Sequence, residues 1–289
     1  MKVTFLGNGA SEGIPALFCE CNLCRQARQR HIYHTRSQLM INDDLLIDFP
    51  PDTYYRSLHY GIDLSKIENV LITHSHSDHL YSEDFFMRGL LSSFGLPTET
   101  VTLHGNAAVC GIFERNGCAR RKGSYERKEK GQFNGYKVFN QSSEYVVRKR
   151  FETFTAGKYT VTALPATHIP SEDCFIYLIR EGGKTLLYAT DTEYFHKDVW
   201  DYLIGNKVYL DALIVDGTYG LAFVNDIGHM NFFDNARLRN DLLQKKIIDE
   251  NTKCFVTHVF HGAAKDLDTL EKALPQGYRY PQDNFSFDL

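Results

Sequence analysis

The sequence predicts an α/β protein with two β-sheets sandwiched between helices, and three observations predict it. Short apolar, β-branched runs alternate along the 289 residues with stretches of helical character such as Phe232 to Glu250. Several of those runs finish on a histidine or an aspartate: Val70-Leu71-Ile72 leads to His74, Tyr159 to Leu164 to His168, Lys184 to Ala189 to Asp191, Leu213 to Val215 to Asp216, and Cys254 to Thr257 to His258. If these runs are neighbouring strands of buried sheets, their ends share one polar rim, where charge can be placed without entering the core. No fixed-period repeat and no Pro- or Ser-rich linker divides the chain, so residues 1–289 are read as a single domain.

The totals bound the function. An apolar content of 43% supports a substantial core, and a net charge of −4 argues against coating nucleic acid by bulk charge. No apolar stretch approaches membrane-spanning length, and Met1 to Gly7 passes into a glycine turn too early for a signal peptide. The expectation is a soluble, cytoplasmic protein with no membrane partner. Seven cysteines, three of them within six residues, suit a reducing compartment and a metal better than a disulfide framework.

Taken in order, Val3 to Leu6 is a first strand. The glycine-rich turn after it, Gly7 to Pro15, has no Gly-Lys-Ser/Thr ending, so it is a tight loop and not a phosphate cradle. Cys19, Cys21 and Cys24 can wrap one zinc as thiolates, and a tetrahedral site then needs a fourth ligand from elsewhere. Arg25 to Arg36, with His31 and His34, reads as a solvated helix and loop that supplies no ligands. Gln38 to Ile41 and Leu45 to Ile47 flank Asn42-Asp43-Asp44 as a hairpin. Asp48, at the end of the second run, is either a turn former or a group that orients a ligand histidine. Pro51 to Tyr60 is a helix stopped by Gly61, Asp84 to Leu91 a second helix, and Val101 to Leu103 a strand.

The stretch from Gly105 to Phe154 is the least legible. It carries Arg115, Arg120, Arg121, Lys122, Arg127, Lys128 and Lys130, and is expected to be a charged surface insert at about residues 105–155. A lid or arm that grips substrate phosphates is the sharper reading. Beyond it, Phe175 to Ile179 and Lys184 to Ala189 pair across Gly182-Gly183.

The chemistry concentrates at Thr73-His74-Ser75-His76-Ser77-Asp78-His79. In an extended or turning segment His74 and His76 face one side, while Asp78 and His79 at a helix start turn toward a neighbouring position. One short stretch can therefore serve two metals. A polar histidine-rich turn is the alternative, and three histidines and an aspartate within six residues directly after an apolar strand outweigh it.

The pattern His-x-His-x-Asp-His resembles the signature of the metallo-β-lactamase superfamily. The resemblance implies an αββα four-layer sandwich and a binuclear metal-dependent hydrolase. It implies that His74, His76 and His168 hold one divalent metal, that Asp78, His79 and His258 hold the other, and that Asp191 bridges them. Zinc, manganese or iron suits such ligands. The opening segment, Gly7-x-Gly9-Ala10-x-x-Gly13-x-Pro15-Ala16 followed by Cys19-x-Cys21-x-x-Cys24, resembles the phosphoribosyl cyclic phosphodiesterase group of the carbon–phosphorus lyase pathway. That likeness implies His261 as the fourth ligand of a structural zinc. It also places His229 near the leaving group, and it makes His229, with Asp78, a catalytic residue.

Two departures bear on the substrate: the basic stretch is longer than in that group, and Asp216-Gly217-Thr218-Tyr219 replaces its usual cysteine, serine and histidine after the aspartate. The implied substrate is a small phosphodiester, a cyclic ribose phosphate above all. A tRNA 3′-processing endoribonuclease with RNA as partner, and a non-hydrolytic carrier resembling the pyrroloquinoline quinone pathway member of the fold, are the alternatives. A homodimer is left open.

Overall fold

The computed structural model describes residues 1–89, 100–123, 132–133, 136–137, 142–222 and 228–289. Two large sheets form. The first runs, edge to edge, through strands Phe285–Asp288, Lys2–Gly7, Gln38–Ile41, Leu45–Ile47, Asn69–Leu71, Val101–Gly105, Ser143–Val147 and Arg120–Arg121. The second runs through Thr153–Ala156, Tyr159–Pro165, Phe175–Glu181, Lys184–Ala189, Ala212–Asp216, Lys253–Thr257 and Tyr278–Arg279.

Strand periodicity explains the layering. Successive side chains leave a strand on opposite faces, so a strand buried on both faces reads as an unbroken apolar run that serves two cores. Leu45 and Ile47 join Phe5, Tyr177 and Ile214 between the sheets, whereas Leu46 faces outward onto Phe85, Val109 and Phe113. In the second sheet Ala212 and Ile214 face the first, while Leu213 and Val215 pack with Leu203, Leu238 and Leu242 of the helices outside. The result is the αββα sandwich of the metallo-β-lactamase fold.

Local signals hold where the sequence showed them. Helix Asp52–Tyr60 stops at Gly61, whose φ of 64° is the left-handed turn that glycine adopts without a Cβ penalty. Gly182 and Gly183, at φ 60° and 79°, turn the expected hairpin. The helix from Phe232 starts on an Asn231–Asp234 capping box but ends at Gln244, not Glu250, because Lys246 at φ 57° reverses the chain and buries Ile247 and Ile248. The helix expected at Asp84–Leu91 is a 3-10 turn, Ser82–Asp84, followed by helix Phe85–Gly89; Leu90 and Leu91 lie outside the described residues.

The surface insert expected at about 105–155 needs correction at both ends. Helix Ala107–Asn116 buries Val109, Cys110 and Phe113, and strand Ser143–Val147 pairs in parallel with Val101–Gly105. Arg127, Lys128 and Lys130 lie outside the described residues. His34 is a second correction: it is buried, stacks on Tyr280 at 4.4 Å between centroids, and donates from Nδ1 to Asn8 Oδ1 at 2.8 Å. Burial pushes its pKa down to about 4. Among the described residues, no helix is long and apolar enough to cross a membrane.

Candidate metal centre

Parallel pairing builds the site. Lys184–Ala189, Ala212–Asp216 and Lys253–Thr257 are parallel neighbours in register, which brings Asp216, at the end of its strand, together with Asp191 and His258, just past the ends of theirs. In the first sheet Leu45–Ile47 and Asn69–Leu71 are likewise parallel, bringing Asp48 beside Thr73 and His74. Asp48, Asp191 and His258 turn off their strands at φ 63°, 48° and 60°. Non-glycine residues in that region are strained, a pattern that concentrates at functional sites.

The structure brings all the expected catalytic-pair residues together. Ligand atoms of His74, His76 and His168 form one group, those of Asp78, His79 and His258 another, and those of His74, His79 and Asp191 a third, each within 4.8 Å. Asp191 Oδ2 lies 3.3 Å from His79 Nε2, 3.6 Å from His168 Nε2 and 3.7 Å from His74 Nε2, and its Oδ1 lies 3.3 Å from His258 Nε2. One carboxylate thus touches both trios.

Whether the residues fit cations is decided by where their protons sit. The Thr73 hydroxyl donates to Asp48, so it accepts from His74 Nδ1–H at 3.0 Å. His79 Nδ1–H donates to Asp48 Oδ2 at 2.7 Å, His258 Nδ1–H to Thr218 Oγ1 at 2.9 Å, and His168 Nδ1–H to the Gly228 carbonyl at 3.2 Å. Each of these hydrogen bonds uses Nδ1 and leaves Nε2 as the ring nitrogen that faces inward. His76 presents Nδ1, 3.0 Å from His74 Nε2 and 3.2 Å from His168 Nε2. Three lone pairs converging without a proton for each is an arrangement that a cation satisfies. Burial, with His79 beside it, holds His74 well below the usual imidazole range, in its neutral ligating form.

His229 belongs to neither trio, but its ligand atom groups with those of Asp191, Asp216 and His258 within 4.8 Å. Its ring is 4.8 Å from that of His168 and stacks on His258 at 5.4 Å. Nδ1 donates to Asp216 Oδ2 at 2.8 Å. Burial would lower its pKa, but the Asp216 carboxylate outweighs burial and pushes it up to about 9.

Sequence reasoning noted Asp216 as a strand end that opens a departure from the resembling group, and gave its side chain no role. It is fully buried and also accepts from the amides of Asp191, Thr218 and Met230. Thr73 and Thr218 appeared in the sequence only as parts of longer runs with no role of their own, and Glu193 and Glu172 were missed altogether. Glu193 accepts from the Gly228 amide at 3.0 Å, and Glu172 accepts from the amide and hydroxyl of Ser75, between two candidate ligands. Only the threonine next to His74 gave any local signal. The Asp48 question is answered: buried at 0% exposure, it binds Thr73 and orients His79.

Cys19, Cys21, Cys24 and His261 form a separate cluster, with ligand atoms within 4.8 Å. Backbone amides point at the sulfurs: Ala16 to Cys24, Cys21 to Cys19 and Cys24 to Cys21, each at 3.4 Å. Burial would raise the Cys21 thiol, but the His261 ring and the Cys24 amide outweigh it and bring it down to about 6. Burial pushes Cys24 up to about 12, so holding all three as thiolates calls for a cation. Cys21→Ser is expected to lose one zinc per chain and about 3 kcal/mol, roughly 6–10 °C in Tm. Full zinc by elemental analysis with an unchanged melting curve would exclude the structural site.

A two-sheet αββα sandwich with cation-ready clusters on one rim defines the metallo-β-lactamase class of protein. The chain belongs to the beta-lactamase superfamily domain family, whose model matches residues 45–248. Its structure is similar to that of a diphosphatase from the PhnP family, at a TM-score of 0.71 and 19% identity, over 100% of this chain and 97% of the other. Among curated relatives, it is 40% identical over 84 residues to an octanoyltransferase from Porphyromonas gingivalis, covering 28% of this chain and 16% of that protein. It is 25% identical over 190 residues to a ribonuclease Z from Methanococcus aeolicus, covering 65% and 49%. The chain thus spans about half or less of the length of these curated relatives.

Proposed function

We propose that this protein is a metal-dependent phosphodiesterase, with a small cyclic ribose phosphate as substrate. The observation that carries this reading is His229, seated on Asp216 and lying against one histidine of each trio. His74, His76 and His168 would hold one divalent cation, Asp78, His79 and His258 the second, with Asp191 shared; Cys19, Cys21, Cys24 and His261 would hold a structural zinc. When bound, the pair supplies the Lewis acidity that activates water and neutralises phosphate oxygens.

The chain's own residues do the rest. Asp216 takes His229 Nδ1–H and leaves Nε2 to carry a proton toward the departing oxygen. Asp48 and Thr73 hold the His79 and His74 rings in the tautomer that presents Nε2. The likeness in fold to a diphosphatase of the PhnP family and the Cys19-Cys21-Cys24 segment support a small phosphate ester as substrate.

RNA is the second reading, favoured by the match to a ribonuclease Z. Against it, Arg120 is already paired with Glu144 at 2.6 Å. The test compares metal-dependent kcat/KM on a five-membered cyclic ribose phosphate with cleavage of a precursor tRNA carrying a 3′ trailer. Ring opening with inert RNA is expected. Cleavage of RNA alone would move the assignment to the endoribonucleases, and no turnover of either would leave a carrier.

A further inference from the structure

The loop that carries His168 leaves strand Tyr159–Pro165 and returns at Phe175, and on it, beyond His168, stands Glu172. Its carboxylate gathers three donors. Oε1 accepts from the Ser75 amide at 2.9 Å and from Asn106 Nδ2 at 2.7 Å, and Oε2 accepts from the Ser75 hydroxyl. Asn106 is buried just past strand Val101–Gly105, where its Oδ1 caps helix Ala107–Asn116 and its Nδ2 also reaches the Asp173 carbonyl at 2.9 Å. One side chain therefore ties a loop of the second sheet to two strand ends of the first. Ser75 lies between His74 and His76, so the link joins the segment that supplies two members of a trio to the loop that supplies the third.

We infer that Glu172 is the positioning residue for His76, holding His74-Ser75-His76 against the His168 loop so that the three ring nitrogens converge; the role rests on the metal-dependent reading above. His74, His79, His168 and His258 each have Nδ1 held, by Thr73, Asp48, the Gly228 carbonyl and Thr218. His76 is exposed, and among the described residues its ring nitrogens find only those of His74 and His168. Its direction is thus left to its backbone. From His74 to Ser77 the one amide N–H with a hydrogen-bond partner among the described residues is that of Ser75, and the partner is Glu172. Other links hold the sheets together whether or not Glu172 is there: the Phe175 amide donates to the Thr73 carbonyl at 2.9 Å, and the Tyr177 hydroxyl to the Ile72 carbonyl at 2.7 Å. Removing the carboxylate therefore loosens the ligand segment and leaves the fold. An amide of the same shape keeps all three contacts, its oxygen in the place of Oε1 and its NH2 donating to the Ser75 hydroxyl, which turns to accept. The role asks for a side chain of this length and shape, not for its charge.

The test titrates cobalt(II) into the full chain, with zinc kept at the cysteine cluster, and follows visible absorption for wild type, Glu172→Ala and Glu172→Gln. Alanine is expected to raise one of the two stepwise dissociation constants about 10–100-fold, the usual worth of a group that orients a ligand. The other constant, the zinc content and the far-UV circular dichroism should stay as in wild type, and glutamine should keep wild-type affinity at both steps. Without cobalt, the Ser75 amide is expected to exchange its hydrogen faster in the alanine variant and to stay protected in the glutamine variant. Should alanine fail to fold, Glu172→Asp, one methylene too short to reach Ser75, takes its place with the same expectations. Cobalt affinity that alanine leaves unchanged, or that glutamine lowers as far as alanine does, would overturn the role alone. A wild type that takes up no cobalt pair would defeat the metal-dependent reading and the role with it.

Discussion

Gly228→Ala is expected to lower kcat/KM by about 100-fold or more, since misplacing a positioned group by about 1 Å costs that much. Gly228 sits at φ 104°, where a side chain adds backbone strain on the order of 1–3 kcal/mol. A Cβ there would lie 2.6 Å from His168 Nδ1. The same residue accepts the His168 Nδ1–H on its carbonyl, gives its amide to Glu193, and precedes His229. One methyl group therefore disturbs a candidate ligand and the candidate proton donor together. Weaker cation retention by the His74, His76 and His168 trio should accompany the loss, with zinc at the cysteine cluster retained. Elemental analysis and turnover of the diester check both parts; full activity and full metal would refute the geometry assigned to this loop.

His229→Ala is expected to reduce kcat by about 10²–10⁴-fold, the usual worth of a positioned proton donor. Cation content should not change, because the assigned trios and Asp191 do not include His229, whose Nδ1–H is already given to Asp216, although its ring also lies within ligand reach of Asp191, Asp216 and His258. The two variants separate the roles: the alanine at 228 moves metal and turnover together, whereas the alanine at 229 moves turnover alone. Loss of a cation from His229→Ala would make that histidine a ligand and remove it from leaving-group chemistry. KM should move less than kcat, since the proton is needed chiefly as the oxygen departs.

How much was legible beforehand depended on how local each signal was. The run from Val70 to His79 announced both a buried strand and a ligand cluster, because burial, strand period and ligand spacing all operate within ten residues. The cysteine triplet was equally plain. His34 misled, since a histidine in a basic stretch looks solvated, and only the C-terminal segment bringing Tyr280 back over it removes it from water. The ends of the 105–155 stretch misled for a similar reason: Val109, Cys110 and Phe113 form an apolar face only once the first sheet lies beneath them.

The sequence by itself determined the fold class, the strands that end on ligand-type residues, and the residues able to bind cations. Those follow from side-chain chemistry and from periodicity along the chain, which need no distant partner. Only the tertiary structure decided that Asp216 carries His229 and that Asp48, Thr73, Thr218 and the Gly228 carbonyl fix the ring tautomers. Most of these contacts join residues far apart in sequence. Parallel pairing of strands brings many of them within hydrogen-bond reach, and no pattern along the chain encodes such a distance.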